Sequence, residues 1–332
     1  MFGEIILPVL WFIVGLVALI KGGDWFVDGA TGIAHRFHIP ELLIGATVVS
    51  IGTTLPEVMV SATSAFTGHG EIAYGNAIGS IICNTSLIAA LTVAIRPAKV
   101  EKKSLVIPVI FFFSSAVAYS AVAYFLGEFS RVAGICLLAV FAAYMTTLVL
   151  QAKKEMTLTA DTEKKDEAEA LEDKPVPMWK NILFLVIGAA LIAVGADLLV
   201  DNGTIIAKFL GVPESVIALT FVALGTSLPE LVTAITSLVK GHGALSLGNI
   251  IGANIFNLVL VSGVSIAISP FALPSGSEIM GRNASLVMDI PIMLCVMMLL
   301  TFPALFKGKL YRWQGIILLG IYAAFCAVQF SL

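Results

Sequence analysis

Residues 22–87 lie over residues 195–260 without a gap and are identical at 29 of 66 positions. Apolar composition alone does not produce that density, so the chain contains two copies of one unit. Apolar runs long enough to cross a hydrocarbon core of about 30 Å fall at about 4–21, 40–66, 73–95, 105–125, 131–151, 180–207, 214–239, 244–268, 284–305 and 313–331. Five runs per half is an odd number, so the second copy enters the membrane from the opposite side. The expected fold is an all-α integral membrane protein of ten transmembrane helices, built as two inverted five-helix repeats. The first half spans 1–150 with its repeat at about 40–95, a linker covers 151–179, and the second half spans 180–332 with its repeat at about 214–268.

Composition agrees: 58% of the residues are hydrophobic and 12% charged, so lipid must solvate the surface. A net charge of −3 without a basic face sets nucleic-acid binding aside. Lys and Arg concentrate in alternate loops. One set holds Arg36, Arg96, Lys99, Lys102, Lys103, the lysines from 153 to 180, Lys240, Lys307, Lys309 and Arg312; the other holds Arg131, Lys208 and Arg282. The positive-inside rule then puts both termini outside and the 151–179 linker in the cytoplasm. That linker is mixed in charge, lacks aromatics and reads as solvated and mobile. The first apolar run has no Lys or Arg ahead of it, so it reads as a retained span and not a cleaved signal. Cys83, Cys136, Cys295 and Cys326 sit singly in apolar runs without metal spacing and read as packing residues.

The chemistry lies in Gly52-Thr53-Thr54-Leu55-Pro56-Glu57 and its copy Gly225-Thr226-Ser227-Leu228-Pro229-Glu230. A carboxylate near the middle of a span costs on the order of 3 kcal/mol and needs compensation. Pro56 and Pro229 each remove a helical N–H, so the expectation is a pair of broken helices with freed carbonyls around Ser50, Thr53, Ala223 and Thr226. With the hydroxyls of Thr54 and Ser227 and the carboxylates of Glu57 and Glu230, these make an all-oxygen cage that suits Ca²⁺ or Na⁺ better than Mg²⁺ and excludes zinc or copper. The neighbouring spans add Asn76, Ser80 and Asn84 in one copy and Asn249, Asn254 and Asn257 in the other. Asn84 and Asn257 read as ligands, and Asn76 and Asn249 equally well as partners of the broken backbone. Gly75, Gly79, Gly248 and Gly252 form small-xxx-small pairs that let these helices approach closely. Asp24, Asp28, Asp197 and Asp201 read as structural or vestibule residues, His69 and His242 as turn residues, and His35 and His38 as surface residues.

Paired GT(T/S)LPE motifs followed by GNxxG(S/A)xxxN resemble the alpha repeats of the calcium/cation antiporter superfamily, in particular its prokaryotic sodium/calcium exchanger branch. The resemblance covers nearly the whole chain. It implies a prokaryotic cell-membrane antiporter that extrudes Ca²⁺ against inward Na⁺, with helices one and six sliding across the core. It implies that Glu57, Glu230 and the carbonyls of Thr53 and Thr226 hold Ca²⁺, and that Ser50, Thr54, Ser80, Asn84, Ala223, Ser227 and Asn257 complete Na⁺ sites. Lipid is then the surrounding partner, the ions are substrates and not cofactors, and no obligate protein partner or catalytic activity is implied. Three positions depart from the pattern. Ala253 stands opposite Ser80, so one hydroxyl is absent; Asn257 stands where potassium-dependent relatives carry Asp; Thr54 replaces the commoner Ser.

A proton/calcium exchanger of the same fold is the nearest rival, because protonation of Glu57 and Glu230 can stand in for Na⁺. Proton-coupled relatives typically carry GNxxE in the carboxylate helix, and this chain carries GTxLPE twice. A cation channel is more remote, since channels usually close a pore by oligomeric symmetry whereas the symmetry here is internal. The spans hold no Ser/His pair or HExxH that would support an enzyme.

Overall fold

The computed structural model describes residues 2–97, 99–163, 176–210, 225–276 and 278–329. Among these residues the chain forms ten helices: α1 Phe2–Arg36, α2 Glu41–Phe66, α3 Gly70–Ile95, α4 Lys102–Phe125 and α5 Arg131–Glu163, then α6 Met178–Phe209, α7 Leu228–Lys240, α8 Gly243–Ile268, α9 Ser285–Lys307 and α10 Arg312–Gln329. Eight of them, α1 to α6, α8 and α9, are long and apolar enough to cross a membrane. The first part of the expected seventh span, 214–224, lies outside the described residues, and α7 covers most of its remainder. Helices dominate because each satisfies its own backbone groups where no water can. Their outer faces carry Leu7, Leu10, Val17, Val186 and Ile316, all exposed as side chains solvated by lipid are.

Two expectations are corrected. The stretch 151–163, expected to be part of a mobile linker, continues α5 to Glu163; Gln, Ala, Lys and Glu at 151–155 are strong helix formers and carry the helix on. Most of the remaining linker, 164–175, lies outside the described residues. The first motif is also not a helix break: α2 runs through Pro56, and the irregularity is a wide π-type turn upstream at Gly45–Val49. In the second copy Gly225–Ser227 form a turn, Ser227 is the N-cap of α7, and Pro229 falls in the first helical turn, where a missing N–H costs little.

Helices α1 and α6 pack as a pair along a ladder of glycines. A Cβ at Gly15 would lie 2.9 Å from the Gly195 carbonyl oxygen, one at Gly22 would lie 2.9 Å from that of Gly188, and one at Gly29 would lie 2.6 Å from that of Asn181. The three contacts recur every seven residues along each helix, in antiparallel register, so backbone meets backbone over most of the crossing. Trp25 stacks on Phe184 alongside, with ring centroids 6.1 Å apart. Phe26, Val27, Ala30, Ile192 and Ala196 form a core of this pair, which also takes in Ile44 and Val49 of α2. A second, larger core joins α2 to α5 with α8, α9 and α10.

Glycines also set the α2–α8 crossing. A Cβ at Gly248 would lie 2.2 Å from the Leu42 carbonyl oxygen, and one at Gly252 would lie 2.3 Å from Ser50 Oγ. This is the close approach expected of that pair. Gly75 and Gly79 meet no described atom, and the residues aligned with Leu42 and Ser50 in the other copy, Ser215 and Ala223, lie outside the described residues. Two short strand pairs complete the loops, Glu128–Phe129 with Phe271–Ala272 and Glu278–Ile279 with Arg282–Asn283.

Candidate functional site

Ser50, Thr53, Thr54, Glu57 and Ser61 recur at helical spacing along α2, and all are buried while Ile51, Leu55 and Met59 are exposed. Lipid thus inverts the usual amphipathic helix: the polar stripe points inward. On α7 the same stripe is Ser227, Glu230, Thr233 and Ser237, also buried. Glu57 and Glu230 are both 0% exposed. Facing them, α3 contributes Ser80 and Asn84 and α8 contributes Asn249 and Asn257, all buried. Thr226 is half-buried in the turn before α7, and Ala223 lies outside the described residues.

These side chains meet across the two copies. The Glu57 and Glu230 carboxylates are close enough to repel each other, and Thr53 and Thr54 of α2 face Glu230 of α7. Cys83, next to Asn84, lies against Ser227 and Glu230. The Thr53 hydroxyl donates to Asn249 Oδ1 (3.1 Å), and the Ser50 hydroxyl is shared between the carbonyls of Gly45 (2.8 Å) and Asn249 (3.0 Å). Asn76 donates to the Glu57 carbonyl (3.2 Å) and to Ser61 Oγ (2.8 Å), which makes it the backbone partner that one sequence reading allowed. Asn254 is occupied in packing: its amide donates to Thr85 Oγ1 (2.7 Å).

What remains is a nest of unpaired polar atoms. Both carboxylate oxygens of Glu57 and of Glu230, both amide atoms of Asn84 and of Asn257, Thr54 Oγ1 and Ser227 Oγ are buried without a hydrogen-bond partner. A buried polar group left unpaired costs about 1–3 kcal/mol, and more when charged, so ten such atoms in one place need an occupant to compensate them. Most are oxygens, two groups are carboxyls, and among the described residues no group of three His, Cys, Asp or Glu side chains comes together. That donor set fits a hard cation held by carboxylate, hydroxyl and amide oxygens. A cavity of about 520 Å³ reaches this region, lined by Gly52, Pro56, Thr226 and Pro229 of the two motifs and by Asp197 and Asp201 of α6.

Sequence reasoning missed the π turns. They begin at Asn84 and at Asn257, the same position of the two copies. Each widens its helix by one residue where the amide projects, a feature frequent at functional sites. It also passed over Thr233 and Ser237, whose hydroxyls are buried and unpaired; their spacing of three and seven residues from Glu230 was the available signal.

A polytopic helical membrane protein with two buried carboxylates in an oxygen-lined nest belongs, as a class, to the ion transporters. The family model described as sodium/calcium exchanger protein matches residues 7–150 and again 180–331, and the chain belongs to that family, in its prokaryotic branch. It is 34% identical over 328 residues to the putative antiporter CaxA of Alkalimonas amylolytica, covering 97% of this chain and 98% of that one. It is 30% identical over 358 residues to the sodium/calcium exchanger MaX1 of Methanosarcina acetivorans, covering 97% and 98%. Among solved structures, the sodium-calcium exchanger NCX_Mj soaked with zero Na⁺ and Ca²⁺ matches with a TM-score of 0.79 at 32% identity, over 98% of this chain and 99% of that one.

Proposed function

We propose that the chain exchanges Na⁺ for Ca²⁺ by alternating access, with Glu57 and Glu230 as the shared ligands and Ca²⁺ extrusion as the normal direction. In this reading ten spans form two inverted halves, 1–150 and 180–332, with both termini outside and the linker in the cytoplasm. The observation that carries it is the nest of ten unpaired atoms drawn from aligned positions of the two copies. Two carboxylates match the charge of one Ca²⁺, and two Na⁺ balance the same pair. The carbonyls of Thr53 and Thr226 complete the Ca²⁺ site, and Ser50, Thr54, Ser80, Asn84, Ala223, Ser227 and Asn257 complete the Na⁺ sites.

The second copy lacks the hydroxyl of Ser80, because Ala253 is wholly buried in its place, and Asn257 is neutral. The gathered side chains therefore carry a charge of two, and K⁺ coupling is not expected. The relatives named for sodium/calcium exchange support the choice of ions. The test is Ca²⁺ release from vesicles that carry the full-length protein. An imposed Na⁺ gradient should drive release, and release driven by a pH gradient alone would transfer the assignment to proton exchange.

A further inference from the structure

The two copies share an aspartate pair, Asp24 and Asp28 on α1 and Asp197 and Asp201 on α6, and among the described residues a lysine clamps the first pair only. Lys240, the last residue of α7, donates through Nζ to Asp28 Oδ1 (2.7 Å) and to the Asp24 carbonyl (3.0 Å), and lies 3.4 Å from Asp24 Oδ1. The end of α7 is separately tied to the larger bundle, since Arg96 of the α3–α4 loop donates to the Leu238 carbonyl (3.2 Å). Lys240 therefore reaches from the bundle to the α1–α6 pair, two bodies that also meet through apolar packing and glycine contacts.

The aligned position in the first copy is Thr67, which has no charge to offer and turns its hydroxyl back on the carbonyls of Thr63 and Ser64 (3.1 Å each). At that end the aspartate pair lines the cavity of about 520 Å³ that leads to both motifs. One end of the molecule is thus clamped at its aspartates, and the equivalent aspartates at the other end border open space.

From this asymmetry we infer that Lys240 is a one-sided latch that weights the transport cycle toward the state closed at the Lys240 face. The inference rests on the exchange reading above, in which that face is cytoplasmic and the α1–α6 pair moves against the bundle. Perfect inverted symmetry would give the two facing states equal energies; a clamp present in one copy only removes that equality. The contacts are partly exposed, with Lys240 at 24% and the aspartates at 38% and 49%, so the bias is modest, about threefold to fivefold in the ratio of the two states. High salt screens it further. The latch also predicts its own inverse: Thr67→Lys, at the position of the first copy aligned with Lys240, should weight the cycle the other way.

The experiment uses full-length protein in vesicles and measures the Ca²⁺ concentration for half-maximal exchange separately at each face, alongside deuterium exchange of the segments 22–36 and 228–240. Lys240→Met should lower the half-maximal concentration at the cytoplasmic face and raise it at the outer face, changing their ratio about threefold to fivefold, and should speed exchange in both segments. Lys240→Arg should restore wild-type behaviour, Thr67→Lys should move the ratio in the same direction as Lys240→Met by closing the outer face, and the differences should shrink near 1 M inert salt. Active Lys240→Met protein with an unchanged ratio, or with both faces affected equally, would reduce Lys240 to a structural staple and overturn the latch. Absence of Na⁺-driven flux in the wild type would instead count against the exchange reading.

Discussion

Replacing Glu230 by Gln keeps the shape of the side chain and halves the formal charge of the nest, because Thr54, Asn84, Ser227 and Asn257 are neutral. A unit charge about 3 Å from a cation is worth about 11 kcal/mol to a divalent ion and about 5.5 kcal/mol to a monovalent one at an effective dielectric constant near 20. The amide dipole and the relieved desolvation of the carboxylate return much of each figure, but the difference between the ions persists. A net differential of about 3–4 kcal/mol corresponds to Ca²⁺ affinity falling on the order of 10²–10³-fold more than Na⁺ affinity. The substitution should not unfold the protein. Glu230 is wholly buried beside Glu57 without a paired cation, so neutralising it should raise the melting temperature in ion-free buffer. Calorimetric titration of purified full-length protein with CaCl₂ and separately with NaCl, preceded by a thermal melt, measures both effects. Equal weakening of the two ions, or unchanged Ca²⁺ binding in a folded variant, would refute the charge-balance reasoning.

Three further outcomes follow from other contacts. Asn257→Asp adds a third carboxylate to the nest and should tighten Ca²⁺ at least tenfold by the same Coulomb argument, read as a lower half-maximal Ca²⁺ concentration in flux. Gly188→Ala puts a Cβ 2.5 Å from the Phe26 backbone nitrogen and should cost about 1–3 kcal/mol by forcing α1 and α6 apart. Gly320→Ala, which meets nothing within 4 Å, is the control, and melting temperatures separate the two. Asn249→Ala removes the acceptor of the Thr53 hydroxyl and should cost about 1–2 kcal/mol while weakening Ca²⁺ binding, because Thr53 then loses its fixed orientation toward Glu230.

Much of the site was legible because lipid makes polar residues conspicuous. Glu57 and Glu230 stand out against apolar runs, and the repeated motif around them marks Ser50, Thr53 and Thr54 as their companions. The π turns at Asn84 and Asn257 were not legible, since they change hydrogen-bond register and leave no distinctive residue type behind. Pro56 misled for a related reason: the helix absorbs the missing N–H and places its irregularity at Gly45–Val49. The seven-residue spacing of Gly15, Gly22 and Gly29 is visible in the sequence, but its meaning depends on the antiparallel register with Gly188 and Gly195, which only tertiary structure supplies. The Lys240 bridge to Asp24 and Asp28 was hidden in the same way, by more than 200 residues of separation.

The central claim is that the two motifs share one cation site. Anomalous diffraction from crystals of the full-length protein soaked with Sr²⁺ at low Na⁺ tests it most directly. The account predicts one peak between the Glu57 and Glu230 carboxylates, lost when Na⁺ is raised and lost in either Glu→Gln variant. Peaks at each glutamate separately, or a peak that persists unchanged at high Na⁺, would contradict it.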